Sequence, residues 1–217
     1  MSVGKHPVIR SSVLLGIIAL LGTALLAGVN EVTYERIIEQ EKRRVLQQLN
    51  EIVPIASYNN DLLEDKIEIN DEAFFRHSAP VAVYRARMNA APVALMMIVT
   101  APDGYNGDIR LLIGVSASGT VLGVRVISHR ETPGLGDPID IEKSDWILGF
   151  NGKSLKAPEP DGWAVKKDGG QFDQFTGATI SPRAVVRTVH NTLRYFAVNQ
   201  QILFDTPADI TDQQVAD

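Results

Sequence analysis

Cysteine is missing altogether from the 217 residues. That excludes a disulfide framework, thiolate-held zinc, a cysteine-ligated iron–sulfur cluster, covalently attached c-type haem and a cysteine nucleophile. Positive charge is also in short supply, with 21 Lys and Arg against 26 Asp and Glu and a net charge of −5. Binding nucleic acid needs clustered cations to neutralise phosphates, so nucleic acid is excluded as a main partner. Aromatics make up 6% and charged residues 22%, an ordinary globular balance that argues against wholesale disorder and against a polytopic membrane protein. The four histidines, His6, His77, His129 and His190, lie far apart, and none has a second ligand at helical spacing, so no metal site is read. Any redox chemistry in such a chain has to come from an organic cofactor.

What is present is uneven. A mean hydropathy of zero averages one apolar segment with a polar remainder. Residues 11–30 carry no charge and are apolar almost throughout. Twenty helical residues at about 1.5 Å each cover roughly 30 Å, the hydrocarbon thickness of a bilayer. The run is longer than a signal-peptide core of about 7–15 residues, and Leu25 spoils a small-x-small cleavage site before Ala27. It reads as an uncleaved transmembrane anchor behind a tail at 1–10. Lys5 and Arg10 precede it while Arg36, Lys42, Arg43 and Arg44 follow, so the distribution of positive charge does not decide its orientation.

Apolar residues at helical spacing from Tyr34 to Ile52, with Glu39 placed to pair with Arg43, predict a membrane-proximal helix over 31–54 that Pro54 ends. It serves either to pack on the domain or to meet a partner subunit. Beyond it the period changes. Val81–Tyr84, Ala94–Val99, Ile109–Val115 and Thr120–Ser128 read as strands, punctuated by the short turns Asp103–Gly107 and Ser116–Gly119, an antiparallel meander. A short helix is expected around Ser144–Leu148 and a final one over Pro182–Leu203, with loops at 131–138 and 151–171. The fold class is therefore α+β, one mixed domain over 55–204 with flanking helices, ending in an acidic tail at 205–217.

Two motif-like stretches fail on spacing. Gly152-Lys153-Ser154 lacks the earlier glycine of a phosphate-binding P-loop, where Ile147 stands, and Gly114-Val115-Ser116-Ala117-Ser118 lacks the last glycine of a nucleophile elbow.

Two loops carry more. In Asp173-Gln174-Phe175-Thr176-Gly177-Ala178-Thr179-Ile180-Ser181-Pro182, Ser181 followed by Pro182 reads as a helix cap and first helical residue. Thr176 to Thr179 would then precede a helix N-terminus, whose free amides and dipole favour an anion such as phosphate. A simple capped loop accounts for the same residues, and both readings stand on chemistry alone. The other loop, His129-Arg130-Glu131-Thr132-Pro133-Gly134-Leu135-Gly136, follows the last strand; its proline stiffens a turn and its glycines allow close backbone approach to something flat.

Together, Glu-Thr-Pro-Gly-Leu-Gly at 131–136 and Asp-x-x-Thr-Gly-Ala-Thr at 173–179 resemble the FMN-binding domain of the Rnf electron-transport complex, with the G subunit the best match, and the likeness runs the length of the chain. The resemblance implies FMN joined through its phosphate to Thr179 by a separate flavin transferase that reads Asp173 and Thr176. Thr176, Gly177, Ala178, Ile180, Ser181 and Glu131 would be further cofactor-binding residues, and the loop of Thr132, Pro133, Gly134, Leu135 and Gly136 would lie against the ring. It implies an electron carrier among other Rnf subunits in a bacterial inner membrane, its domain periplasmic, serving NADH- or ferredoxin-linked electron transfer coupled to ion translocation. No catalytic acid–base pair is needed, and the chain is no autonomous enzyme. The C subunit of the sodium-pumping NADH:quinone oxidoreductase shares this layout, but usually has serine where Thr176 stands. A membrane-anchored assembly module without redox chemistry is the alternative from another class.

Overall fold

The structure is a computed structural model that describes residues 5–208; the far end of the expected acidic tail and the start of the expected N-terminal tail lie outside the described residues. The chain divides into two compact units, Met1–Val45 and Leu46–Asp217.

The first unit holds most of α1 (Lys5–Ile52). Its segment Ile9–Ala27 has a mean hydropathy of 2.0, is 19 residues long and buries nothing within the protein, so by length and composition it could cross a membrane. Large apolar side chains such as Leu15, Leu20 and Leu26 stand exposed along it, which water penalises and lipid does not. The Thr23 hydroxyl donates to the Ala19 carbonyl at 2.9 Å, which satisfies that hydroxyl within the helix itself. Further along, the Arg43 guanidinium meets Glu39 at 2.5 Å, the pair expected from their spacing, on an exposed face.

The second unit is built on a five-stranded antiparallel sheet in sequence order, β1 (Lys66–Ile69), β2 (Val81–Met88), β3 (Ala91–Gly104), β4 (Gly107–Ser116) and β5 (Val121–Ser128). The expected meander is present, with β2, β3 and β4 longer than the apolar runs alone delimit and β5 one residue shorter than expected. β1 escapes the sequence reading because Lys66-Ile67-Glu68-Ile69 is one short alternation; only Ile67 is fully buried. The one-turn α2 (Glu72–Phe75) starts where the Asp71 side chain accepts the Phe74 amide at 3.0 Å. The expected short helix at 144–148 is a 3₁₀ segment, Asp145–Phe150, begun by Ser144, whose hydroxyl accepts the Trp146 amide at 3.1 Å.

Both faces of the central strands are covered, which explains their near-continuous hydrophobicity. Leu95, Met97, Val99, Leu111, Ile113 and Val115 join the core that includes Val185, Val189, Leu193 and Phe196 of α3 (Ile180–Asp205). The intervening side chains Met96 and Leu112 are buried on the opposite face, with Leu49, Ile52 and Val53 also fully buried. There Gly114 and Gly123 pair across β4 and β5 and leave a socket for Ile52: a Cβ on Gly114 would lie 2.2 Å from Ile52 Cγ2. Burying an isoleucine this fully stabilises by roughly 1.5–3 kcal/mol.

The C-terminal turn of α3 is held by β2. Buried Arg85 donates to the Thr206 carbonyl and Arg87 to that of Phe204, while Asp65 pairs with both guanidiniums at 2.5 and 2.7 Å. Cations there satisfy the last carbonyls of the helix and complement its dipole. With one end of α3 fixed in this way, its other end is delivered to the edge of the sheet where β3 turns into β4 and β5 ends.

Candidate functional site

At that edge three segments enclose a cavity of about 370 Å³, within the range of about 300–1,000 Å³ usual for small-molecule sites. Glu131, Thr132, Leu135 and Gly136 line it from the loop after β5, and Gly177, Ala178, Thr179, Ile180 and Ser181 from the start of α3. The structure thus brings together the two loops singled out in the sequence. Of the expected site residues, Pro133, Gly134 and Thr176 are close by in the chain but do not line the cavity, and neither does Asp173.

The first loop is shaped by its own hydrogen bonds. The Leu135 and Gly136 amides both donate to the Thr132 carbonyl at 3.1 Å, and the Gly134 amide donates to the buried Asp137 carboxylate at 2.6 Å. Gly134 has φ +76°, a conformation glycine adopts without cost. Gly136 is required for another reason, because a Cβ there would sit 2.6 Å from Ser181 Oγ and 2.8 Å from Glu131 Oε2.

Helix α3 begins two residues before the expected start. Thr179 is the N-cap, and its side chain makes no capping hydrogen bond. Ser181, expected as the cap, is buried in the first turn, and its hydroxyl donates to Glu131 instead. Pro182 fits all the same, since the first-turn amides have no helical acceptor and a proline there forfeits nothing. The outcome favours an anion more than the expected arrangement did. The half-buried Thr179 hydroxyl and the amides of Ile180 and Ser181 engage no partner among the described residues, and all three residues line the cavity. The nearest cation in sequence, Arg183, is taken up by Asp168 through bonds of 2.7 and 2.8 Å. That hydrogen bonding, against a smaller opposing desolvation, holds the exposed Asp168 carboxyl below its usual range. Backbone amides and the helix dipole, not a guanidinium, are therefore what the site offers a phosphate.

Glu131 sits at the junction of the three segments, only 4% exposed. Its carboxylate accepts the Tyr105 amide at 3.3 Å, the Asn106 amide at 3.1 Å and the Ser181 hydroxyl, while its own amide donates to His129 Nδ1 at 3.0 Å. Asn106 adds a bond from Nδ2 to the Thr132 hydroxyl at 3.1 Å. These partners put Tyr105, at the tip of the β3–β4 hairpin, on the cavity wall. Sequence reasoning takes Asp103 to Gly107 as a turn and misses Tyr105. The available signal is an aromatic bracketed by glycines in a turn where polar residues are the rule.

Asp173 lies on the surface. Its carboxylate meets Lys166 at 2.5 Å with both side chains more than half exposed, and its carbonyl accepts the Trp146 indole N–H at 2.8 Å. Trp146 also packs edge-on against Phe175 at 5.3 Å, which ties the stretch before Thr176 to the core. Phe175 and Ala178 pair across the intervening turn, where Gly177 takes φ +80°. Taken together, the cavity offers a free hydroxyl and amides at one end, apolar Leu135, Ile180 and Tyr105 around it, and glycines where bulk would close it.

The family described as FMN-binding domain matches residues 104–194, and that described as RnfG N-terminal region matches residues 1–52. A protein of Shewanella loihica, named as the G subunit of an ion-translocating oxidoreductase complex, is 49% identical over 205 residues, covering 94% of this chain and 97% of its own. Proteins of the same name from Pseudomonas aeruginosa and Vibrio cholerae are 47% and 44% identical, over 92% and 91% of this chain and 93% and 94% of theirs.

Proposed function

The chain belongs to the family of G subunits of the ion-translocating oxidoreductase complexes, and from that membership and the cavity at the start of α3 we propose that it is the electron-carrying member of such a complex, with FMN bound covalently through its phosphate to Thr179. The single observation that carries the attachment is the Thr179 hydroxyl, uncommitted at an N-cap, beside the free amides of Ile180 and Ser181. A phosphodiester on that oxygen keeps one negative charge, which the amides and the helix dipole stabilise.

FMN fits the residues present. It is flat with a phosphorylated tail, and the cavity pairs an apolar mouth with an anion-favouring end. Bound flavin supplies the electron chemistry; the protein supplies tether, orientation and surroundings. A threonine hydroxyl is a weak nucleophile without a base. Glu131 is already engaged by three donors, and no side chain among the described residues hydrogen-bonds the Thr179 hydroxyl. Attachment by a separate flavin transferase follows, and the exposed carboxylate of Asp173 is available to be read by it. Thr176, at the same turn, serves the same recognition.

The segment at 11–30 anchors the chain in the inner membrane, with the 55–204 domain on the periplasmic side among the other subunits. The segments at 1–10, 31–54 and 205–217 are the cytoplasmic tail, the membrane-proximal helix and an acidic tail. Relatives that carry the G-subunit name along nearly their whole length favour this reading over the C subunit of the sodium-pumping enzyme and over a non-redox assembly module.

The test is the intact mass of the full chain produced with and without a flavin transferase, together with in-gel flavin fluorescence after acid denaturation. The expected result is a transferase-dependent mass increase of one FMN phosphoester, absent in Thr179→Val. Flavin that washes out on denaturation, or that stays attached in Thr179→Val, overturns the assignment.

A further inference from the structure

Seven large apolar side chains are exposed on the second unit among the described residues, and three of them, Tyr105, Leu135 and Ile180, border the cavity at the start of α3. Tyr105 is the most exposed of the three at 66%. Single exposed apolar residues need no explanation, but a group around a cavity marks a binding surface.

The backbone beneath Tyr105 is unusual for a hairpin tip in being tied down from the cavity side. Its amide and that of Asn106 both donate to buried Glu131, and the Asn106 side chain donates to Thr132. The approach is close enough that a Cβ on Gly104 would lie 2.2 Å from the Gly107 carbonyl and 2.9 Å from Glu131 Oε1. Because the same carboxylate also takes the Ser181 hydroxyl, hairpin tip and helix start are fixed to one group. A phenol ring held there presents a flat, weakly polar face to whatever fills the space ahead of Thr179.

We propose that Tyr105 is a wall of the ring site, packing on the isoalloxazine and shielding it from water, and that Glu131 is the positioning residue that holds it there. This rests on the reading of Thr179 as the flavin attachment point. A phenol in contact with a flavin quenches its fluorescence: the excited flavin takes one electron from the phenol and returns it on recombination, with no net change. Fluorescence per bound flavin therefore reports the contact, and quenching by iodide reports the shielding.

The experiment uses the full chain in detergent, produced with the transferase, in wild type, Tyr105→Phe, Tyr105→Leu, Tyr105→Ala, Glu131→Gln and the Tyr105→Ala/Glu131→Gln pair, each normalised to flavin absorbance. Tyr105→Ala should brighten the flavin several-fold and raise its iodide quenching constant. Tyr105→Leu should brighten it while keeping most of the shielding, and Tyr105→Phe should keep the shielding. Glu131→Gln should brighten it partway with Tyr105 in place and add nothing in the Tyr105→Ala background, a dependence that simple destabilisation does not produce. A flavin in Tyr105→Ala and Tyr105→Leu as dim and as shielded as in wild type overturns the Tyr105 contact. Equal effects of Glu131→Gln in both backgrounds overturn the positioning role. A wild-type chain that carries no flavin in the presence of transferase overturns the attachment reading, and this one with it.

Discussion

The Ser181 hydroxyl donates to the Glu131 carboxylate across fifty residues of sequence, and this one contact joins the loop after β5 to the first turn of α3. Replacing Glu131 by Ala leaves two backbone amides and a buried hydroxyl without their acceptor. Each buried donor left unpaired costs about 1–3 kcal/mol where water cannot reach it. Urea unfolding should register a loss of at least about 2 kcal/mol on that scale, with Gln in place of Ala losing less because it keeps one acceptor oxygen. Hydrogen exchange should show the Tyr105 and Asn106 amides losing protection in Glu131→Ala first.

The Ile52 socket makes a sharper steric prediction. Gly114→Ala would place a methyl 2.2 Å from Ile52 Cγ2, so something must move. Overpacking of this kind costs about 1–3 kcal/mol, even though alanine is otherwise better than glycine within a strand by about 0.5–1 kcal/mol. Ile52→Ala removes the obstruction, and a double-mutant cycle measured by denaturant unfolding should give a coupling of about 1 kcal/mol or more. Strict additivity would mean that the contact carries no energy.

The β2–β3 hairpin turns on Asn89 and Ala90, at φ +50° and +66°. Asparagine tolerates the left-handed region; in alanine the Cβ costs roughly 1–2 kcal/mol there. Ala90→Gly removes that strain but leaves a freer unfolded chain, an opposing effect of about 0.4–1 kcal/mol. The net expectation is a stabilisation of about 0.5–1 kcal/mol, seen as a higher urea midpoint with unchanged slope.

His190 lies half-buried and parallel to Trp163, with ring centroids 5.1 Å apart. Burial, helped by the Arg194 charge, lowers its pKa below the ordinary 6.5. The unfolded chain therefore binds this proton more readily than the folded one, and stability must rise with pH through the interval beneath 6.5 and level off above it. Thermal melts between pH 5 and 8 should show that His190→Gln has a shallower acid-side slope than wild type. Identical slopes would remove His190 from the acid response.

Much of the fold is readable in the sequence because its signals are local. Apolar runs mark β2 to β5, near-continuous in β3 and β4, and the turns at Asp103–Gly107 and Ser116–Gly119 mark the meander. β1 is not readable, because four residues with one buried side chain carry too little pattern. The start of α3 is misplaced for a physical reason. Proline is tolerated throughout the first turn, so Pro182 does not distinguish a first from a third helical position, and the partner that claims the Ser181 hydroxyl is fifty residues away. Tyr105 is invisible on the same grounds: its role depends on which loop the hairpin tip meets, and no spacing along the chain records that. The two loops themselves are legible through their glycines and threonines, since close approach and anion binding need those residue types locally.

Every strand of the sheet pairs with its neighbour in sequence, so the meander can close through short loops as the chain emerges, whereas the cavity needs Tyr105, the loop from Glu131 to Gly136 and the stretch from Gly177 to Ser181 at once. Its last wall arrives with the last helix. A chain cut short before Gly177 could still form hairpins, but would have neither the threonine nor the amides beside it. A cofactor joined at that point would thus distinguish chains that extend past the first turn of α3 from shorter fragments, which would stay colourless.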